Sequence, residues 1–140
     1  MSLKRKRFIK RFSILFIIIL FIALAIALGN KEKKLDYINL SNAEAKIELG
    51  RTSNYILLDV RSPLEYKEGR IPGSINIPVE VLETNVEKII ENKNLDIFVY
   101  CHAGNRSKEA SKTLARLGYK NIYNLEGILT WEYEIEKDEE

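Results

Sequence analysis

Cys101 is the only cysteine in the 140-residue chain, and it stands in the run Cys101-His102-Ala103-Gly104-Asn105-Arg106-Ser107, between an apolar segment and a polar one with helical character. A sulfur at a helix N-terminus faces unpaired backbone N–H groups and a partial positive charge; Arg106 adds a full one, so the ionised, nucleophilic form is favoured. Gly104 allows the loop to curl until successive N–H groups point inward, which makes a nest for an anionic group attached to the sulfur. A lone free cysteine is more often an inert core residue, but position, glycine and arginine together argue for a reactive one. His102 is the only histidine. It is not needed as a base, because an already ionised sulfur has no proton to give up, and one His beside one Cys makes no tetrahedral metal set. The chemistry expected is nucleophilic displacement at sulfur, with neither a metal nor an organic cofactor.

Positioning that loop requires particular elements. Tyr55 to Val60 and Ile97 to Tyr100 are short apolar runs, the pattern of strands buried on both faces. Tyr37 to Leu40, Ser74 to Ile77 and Asn121 to Asn124 read as further short strands. Ser41 with Glu44, and Ser62 with Pro63 and Glu65, carry capping-box signatures; helices are predicted after each, ending near Gly50 and Gly69. Helical spacings also mark Val81 to Ile90, Ser107 to Leu117 before Gly118, and a final helix over Ile128 to Ile135. The acidic stretch Glu132 to Glu140 reads as a solvated helix end. Strands alternating with helices imply an α/β fold, a parallel central sheet with helices on both faces, and sites at the carboxyl ends of its strands.

The N-terminal region differs. Residues 1–11 hold six basic residues and no acid, residues 12–30 hold no charge at all, and the net charge of +2 becomes −4 once those six are set aside. A basic nucleic-acid-binding surface is therefore excluded for the folded part. Residues 12–28 would span about 26 Å as a helix, close to a hydrocarbon core, and an apolar circumference suits lipid better than a small core. The expected organisation is a basic cytoplasmic segment 1–11, one N-terminal transmembrane helix 12–28, a tether 29–36, a domain 37–135 and an acidic tail 136–140. Basic residues before the span place the domain outside the cytoplasm, at the cytoplasmic membrane. Cleavage after the Ala23, Ala25 and Ala27 series would release it in the same compartment.

The stretches Leu58-Asp59-Val60-Arg61, Glu65-Tyr66, Gly69 through Pro78 and Tyr100 through Ser107 resemble single-domain rhodanese-like sulfurtransferases from about Tyr37 to Trp131. The resemblance implies a thiosulfate-type sulfurtransferase with Cys101 as persulfide carrier. It also implies a small anionic sulfur donor held by the amides and side chains of His102 to Ser107, Arg106 above all, with Asp59 and Arg61 as supports and a thiol, protein thiol or cyanide as acceptor. Leu125-Glu126-Gly127-Ile128 is one glycine short of the family's usual pattern, so a locally tightened loop is expected, with Cys101 to Arg106 undisturbed. Two rivals stand beside this reading. Cysteine-dependent phosphatases and arsenate reductases place one residue more between cysteine and arginine, and a non-catalytic binding module would not need the cysteine loop.

Overall fold

The computed structural model describes residues 14–26 and 36–138. The chain divides into two units, Met1–Lys34 and Leu35–Glu140. In the first, residues 14–26 form helix α1, about 20 Å long, and its large apolar side chains are exposed on every side. Among the described residues no helix is long and apolar enough to cross a membrane. Positions 12, 13, 27 and 28 of the expected span, the basic segment and nearly all of the tether lie outside the described residues.

In the second unit the strands β1 (Ile38–Leu40), β2 (Tyr55–Asp59), β3 (Ile75–Asn76), β4 (Asp96–Tyr100) and β5 (Asn121–Leu125) form one parallel sheet in the order β1-β5-β4-β2-β3. Between them run helices α2 (Asn42–Arg51), α3 (Pro63–Glu68), α4 (Leu82–Ile89) and α5 (Asn105–Arg116). Both capping boxes form. The Ser41 and Ser62 hydroxyls accept from the amides of Glu44 and Glu65, whose carboxylates accept in return from the serine amides.

Side chains alternate across the pleat, and two cores follow from that period. Leu58, Val60, Ile97, Val99 and Cys101 pack with Leu82, Val86, Ala110 and Leu114 on the side of α4 and α5. Leu57, Phe98, Tyr100 and Leu125 pack with Ala45, Ile71 and Trp131 on the other. The expected sheet with a helix layer on each face is thus present, and the alternation along β4 delivers Cys101 to the face covered by α5.

Four expectations need correction. Gly50 does not cap α2, which continues through it to Arg51 and ends at the extended Thr52. Helix α4 starts at Leu82, behind a 3-10 turn at Val79–Val81. Helix α5 begins at Asn105, so Arg106 and Ser107 belong to its first turn. The final helix is absent: a 3-10 turn, Ile128–Thr130, is followed by extended chain whose Glu136 exchanges backbone hydrogen bonds with Arg70, 2.9 Å each way. A helix there would stack Glu132 on Glu136 and Glu134 on Asp138 at like-charge i,i+4 spacing. Extended, the same chain puts Glu136 and Asp138 on the Arg70 guanidinium at 2.7 Å each, so the acidic stretch is a clasp and not a solvated helix end.

Candidate active site

The carboxyl ends of the strands bring the site together. Cys101 follows β4, is free, and is 1% exposed. Its Sγ accepts the Gly104 N–H at 3.1 Å and lies 3.5 Å from the Ser107 hydroxyl, which donates to the Gly104 carbonyl at 3.1 Å. Gly104 makes this curl at φ 88°, a conformation costly for a residue with a Cβ, and serves as N-cap of α5. Among the described residues, the amides of His102, Ala103, Asn105 and Arg106 have no hydrogen-bond acceptor. They are the donors that an anion at the sulfur would use. His102, Ala103 and Asn105 are exposed, Gly104 and Ser107 buried.

Arg106 is placed differently from its expected part. Its guanidinium makes a bidentate pair with Glu65 of α3, at 2.8 and 2.7 Å, and both side chains are about one-third exposed. Glu65 therefore does two things, capping α3 and holding Arg106; only the first was legible locally. The Arg106 hydrogen bonds hold the Glu65 carboxyl down at about 2, against partial burial, which acts upward. A carboxyl whose folded value lies below its ordinary 4.5 contributes stability that is present above pH 4.5 and lost as the pH falls towards 2. Glu65→Gln, which can still cap, is expected to flatten the pH dependence of stability across that window. Urea melts at stepped pH check this, and an unchanged slope would contradict it. High salt should shrink the effect, since the pair is partly exposed.

Asp59 and Arg61 form a buried ion pair: Arg61 Nε donates to both carboxylate oxygens at 3.1 and 3.0 Å, and a terminal nitrogen donates to one of them at 2.6 Å. The same guanidinium donates to the Gly69 carbonyl, and Asn76 donates to the carbonyls of Asp59 and Arg61. Asp59 lies in register with Tyr100, the residue before the cysteine, and Arg61 sits over its ring. Burial, and after it the Asp59 charge, raise the Tyr100 phenol, so its hydroxyl stays protonated between the Ile71 amide and the Ser74 hydroxyl. The pair thus fixes the strand ends beneath the loop.

A second clasp was unforeseen. The amides of Ile128 and Leu129 donate to the carbonyls of Cys101 and His102 at 2.9 and 3.0 Å. Gly127, at φ 115°, lies so close that an added Cβ would sit 2.5 Å from the His102 carbonyl oxygen and 3.0 Å from the Ala103 nitrogen. The glycine supplies both a left-handed dihedral and room for another backbone. The Leu125 to Ile128 stretch is therefore part of what positions the cysteine loop. Asn42 anchors this stretch in turn, donating to the Gly127 carbonyl and the Thr130 hydroxyl and, from its backbone, to Glu126.

Comparison with known proteins agrees with this geometry. A family model described as a rhodanese-like domain matches residues 41–132. The thiosulfate sulfurtransferase PspE of Escherichia coli is 34% identical over 71 residues, which cover 51% of this chain and 68% of that protein. YrkF of Bacillus subtilis, named as a candidate sulfur carrier, is 33% identical over 95 residues; they cover 67% of this chain, which spans about half of that relative's length, 49%. The solved structure of a rhodanese-related protein from Thermoplasma volcanium superposes with a TM-score of 0.64 at 31% identity, covering 73% of this chain and 100% of that one.

Proposed function

Because the chain belongs to the rhodanese-like domain family, which includes named sulfurtransferases among its relatives here, we propose that it moves sulfane sulfur through a persulfide on Cys101. The observation that carries this reading is the buried Sγ held by the Gly104 N–H in a loop whose remaining amides are unspent. In the first half-reaction the Cys101 thiolate attacks the outer sulfur of thiosulfate. The Sγ–S bond forms, the donor's S–S bond breaks, and sulfite leaves with the electron pair. The loop amides bear the negative charge at the transferred sulfur, a fixed array that needs no reorganisation. Arg106 draws the anionic donor to the loop while still partnered by Glu65, which leaves the donor a weaker pull than a free guanidinium would exert. In the second half-reaction a thiol or cyanide takes the outer sulfur and Cys101 is restored.

Incubation with thiosulfate should add about 32 Da to the wild-type protein as a persulfide, and cyanide should then remove it as thiocyanate. A chain that never takes up the sulfur would instead support the binding-module reading. Turnover of aryl phosphates in place of sulfur transfer would support the phosphatase reading, which the shorter spacing between Cys101 and Arg106 disfavours.

We further propose that residues 12–28 anchor the protein as a single span with the domain outside the cytoplasm. The support is the basic excess ahead of the span and the apolar, exposed circumference of α1. Protease added to intact spheroplasts is expected to digest the chain beyond Lys31. A protected domain would overturn the orientation, and a soluble product beginning near Leu28 would replace the anchor by a cleaved signal.

A further inference from the structure

A cleft of about 530 Å³ opens at the carboxyl ends of β1 and β5, directly beside the cysteine loop. Gly104 belongs to both: its amide donates to the Cys101 Sγ, and its backbone forms part of the cleft wall with Ala103. Three features of the lining are chemically specific. Asn124 is only 3% exposed, and while its amide nitrogen donates to Asn39 at 2.8 Å, its Oδ1 has no hydrogen-bond partner among the described residues. That oxygen has no surface open to the cleft, so Asn124 makes a polar wall of it and not a contact point. Glu126 supplies the cleft's only carboxylate among the described residues, with Oε2 engaged by the Asn42 amide. Lys108, on the first turns of α5, supplies the only cation among the described residues of the lining, while Leu40 and Leu129 give it an apolar side.

One carboxylate and one ammonium in the same cleft offer a pair of subsites of opposite sign. We propose that this cleft seats the sulfur acceptor and that it selects a zwitterionic amino-acid thiol, with the ligand's ammonium towards Glu126 and its carboxylate towards Lys108. The inference rests on the persulfide reading of Cys101. The ligand's thiolate attacks the outer sulfur of Cys101–S–SH; a bond forms between those two sulfurs, and the bond to Sγ breaks. Its electron pair stays on Cys101 as thiolate, and the ligand leaves as its own persulfide. The sulfur moves with its proton, and no external oxidant or reductant enters.

The test preloads the full chain with thiosulfate and follows single-turnover transfer to L-cysteine, cysteamine, 3-mercaptopropionate and 2-mercaptoethanol at equal thiolate concentration, with cyanide as reference acceptor. Cysteine should exceed each of the other thiols in kcat/KM by about tenfold. Lys108→Met should erase the advantage of cysteine over cysteamine. Glu126→Gln, whose amide oxygen can still accept from Asn42, should erase its advantage over 3-mercaptopropionate. Equal rates for all four thiols, or a ranking that both substitutions leave intact, would overturn the inference while transfer to cyanide still upheld the sulfurtransferase reading. Failure to load sulfur or to form thiocyanate would overturn both.

Discussion

Cys101→Ser is expected to abolish sulfur transfer while leaving the domain folded. The substitution replaces a polarisable sulfur by an oxygen that neither ionises near neutrality nor forms a persulfide, so no covalent intermediate remains and the rate should fall by at least roughly 10³-fold. The structural cost is small by comparison. The serine hydroxyl is slightly smaller than the thiol and finds the same partners, the Gly104 amide and the Ser107 hydroxyl. What is lost is contact between Sγ and the apolar core on the α5 side of the sheet, which limits the destabilisation to about 1–2 kcal/mol. Thiocyanate formation and thermal melting, measured on the same preparations, separate the two effects. Transfer at the wild-type rate would remove Cys101 from its role. A melt that collapsed with the activity would mean that the sulfur is a core residue first.

Gly127→Ala should be the most damaging glycine-to-alanine change among the described residues. Its φ of 115° already penalises any Cβ by about 1–3 kcal/mol, and the atom would arrive 2.5 Å from the His102 carbonyl oxygen and 2.8 Å from its carbon. Both neighbours are main chain. They cannot rotate away as a long side chain would, and moving them breaks the hydrogen bonds from Ile128 to Cys101 and from Leu129 to His102. A loss of more than about 3 kcal/mol is therefore expected, with Gly127→Val worse again because a branched Cβ tolerates this dihedral least. Activity should fall further than stability alone explains, since the displaced segment is the cysteine loop itself. Gly50→Ala is the matched control. Gly50 lies inside α2 with nothing within 4 Å of where a Cβ would stand, and the change should stabilise by up to about 1 kcal/mol. Denaturant titration and single-turnover transfer distinguish these outcomes; a Gly127→Ala protein with native stability and rate would show that the clasp does not position the loop.

The same contacts determine what an insertion would do. The chain meets the loop through Ile128 and Leu129, so a residue added after Gly127 would shift both donors off their carbonyls.

Much of this molecule is written in short-range patterns. Two capping boxes, each a Ser with Glu three residues on, start α2 and α3 where they stand, because a cap is satisfied within one turn and needs no distant partner. The apolar runs at β2 and β4 announce buried strands, and the place of Cys101 at the end of one, ahead of Gly104 and a helix, follows from neighbours in the chain. Tertiary structure decided which residues meet across long separations. Glu65 takes the Arg106 guanidinium, Arg70 holds Glu136 and Asp138 on extended chain, and Gly127 slides under His102. The cleft beside the loop likewise exists only because β1 and β5 are neighbours in the sheet although they lie at opposite ends of the domain's sequence. Periodicity and capping report how a residue is disposed towards its own element; the partner of a charge, or the backbone that will crowd a glycine, is set by strand order and by where each strand's carboxyl end falls.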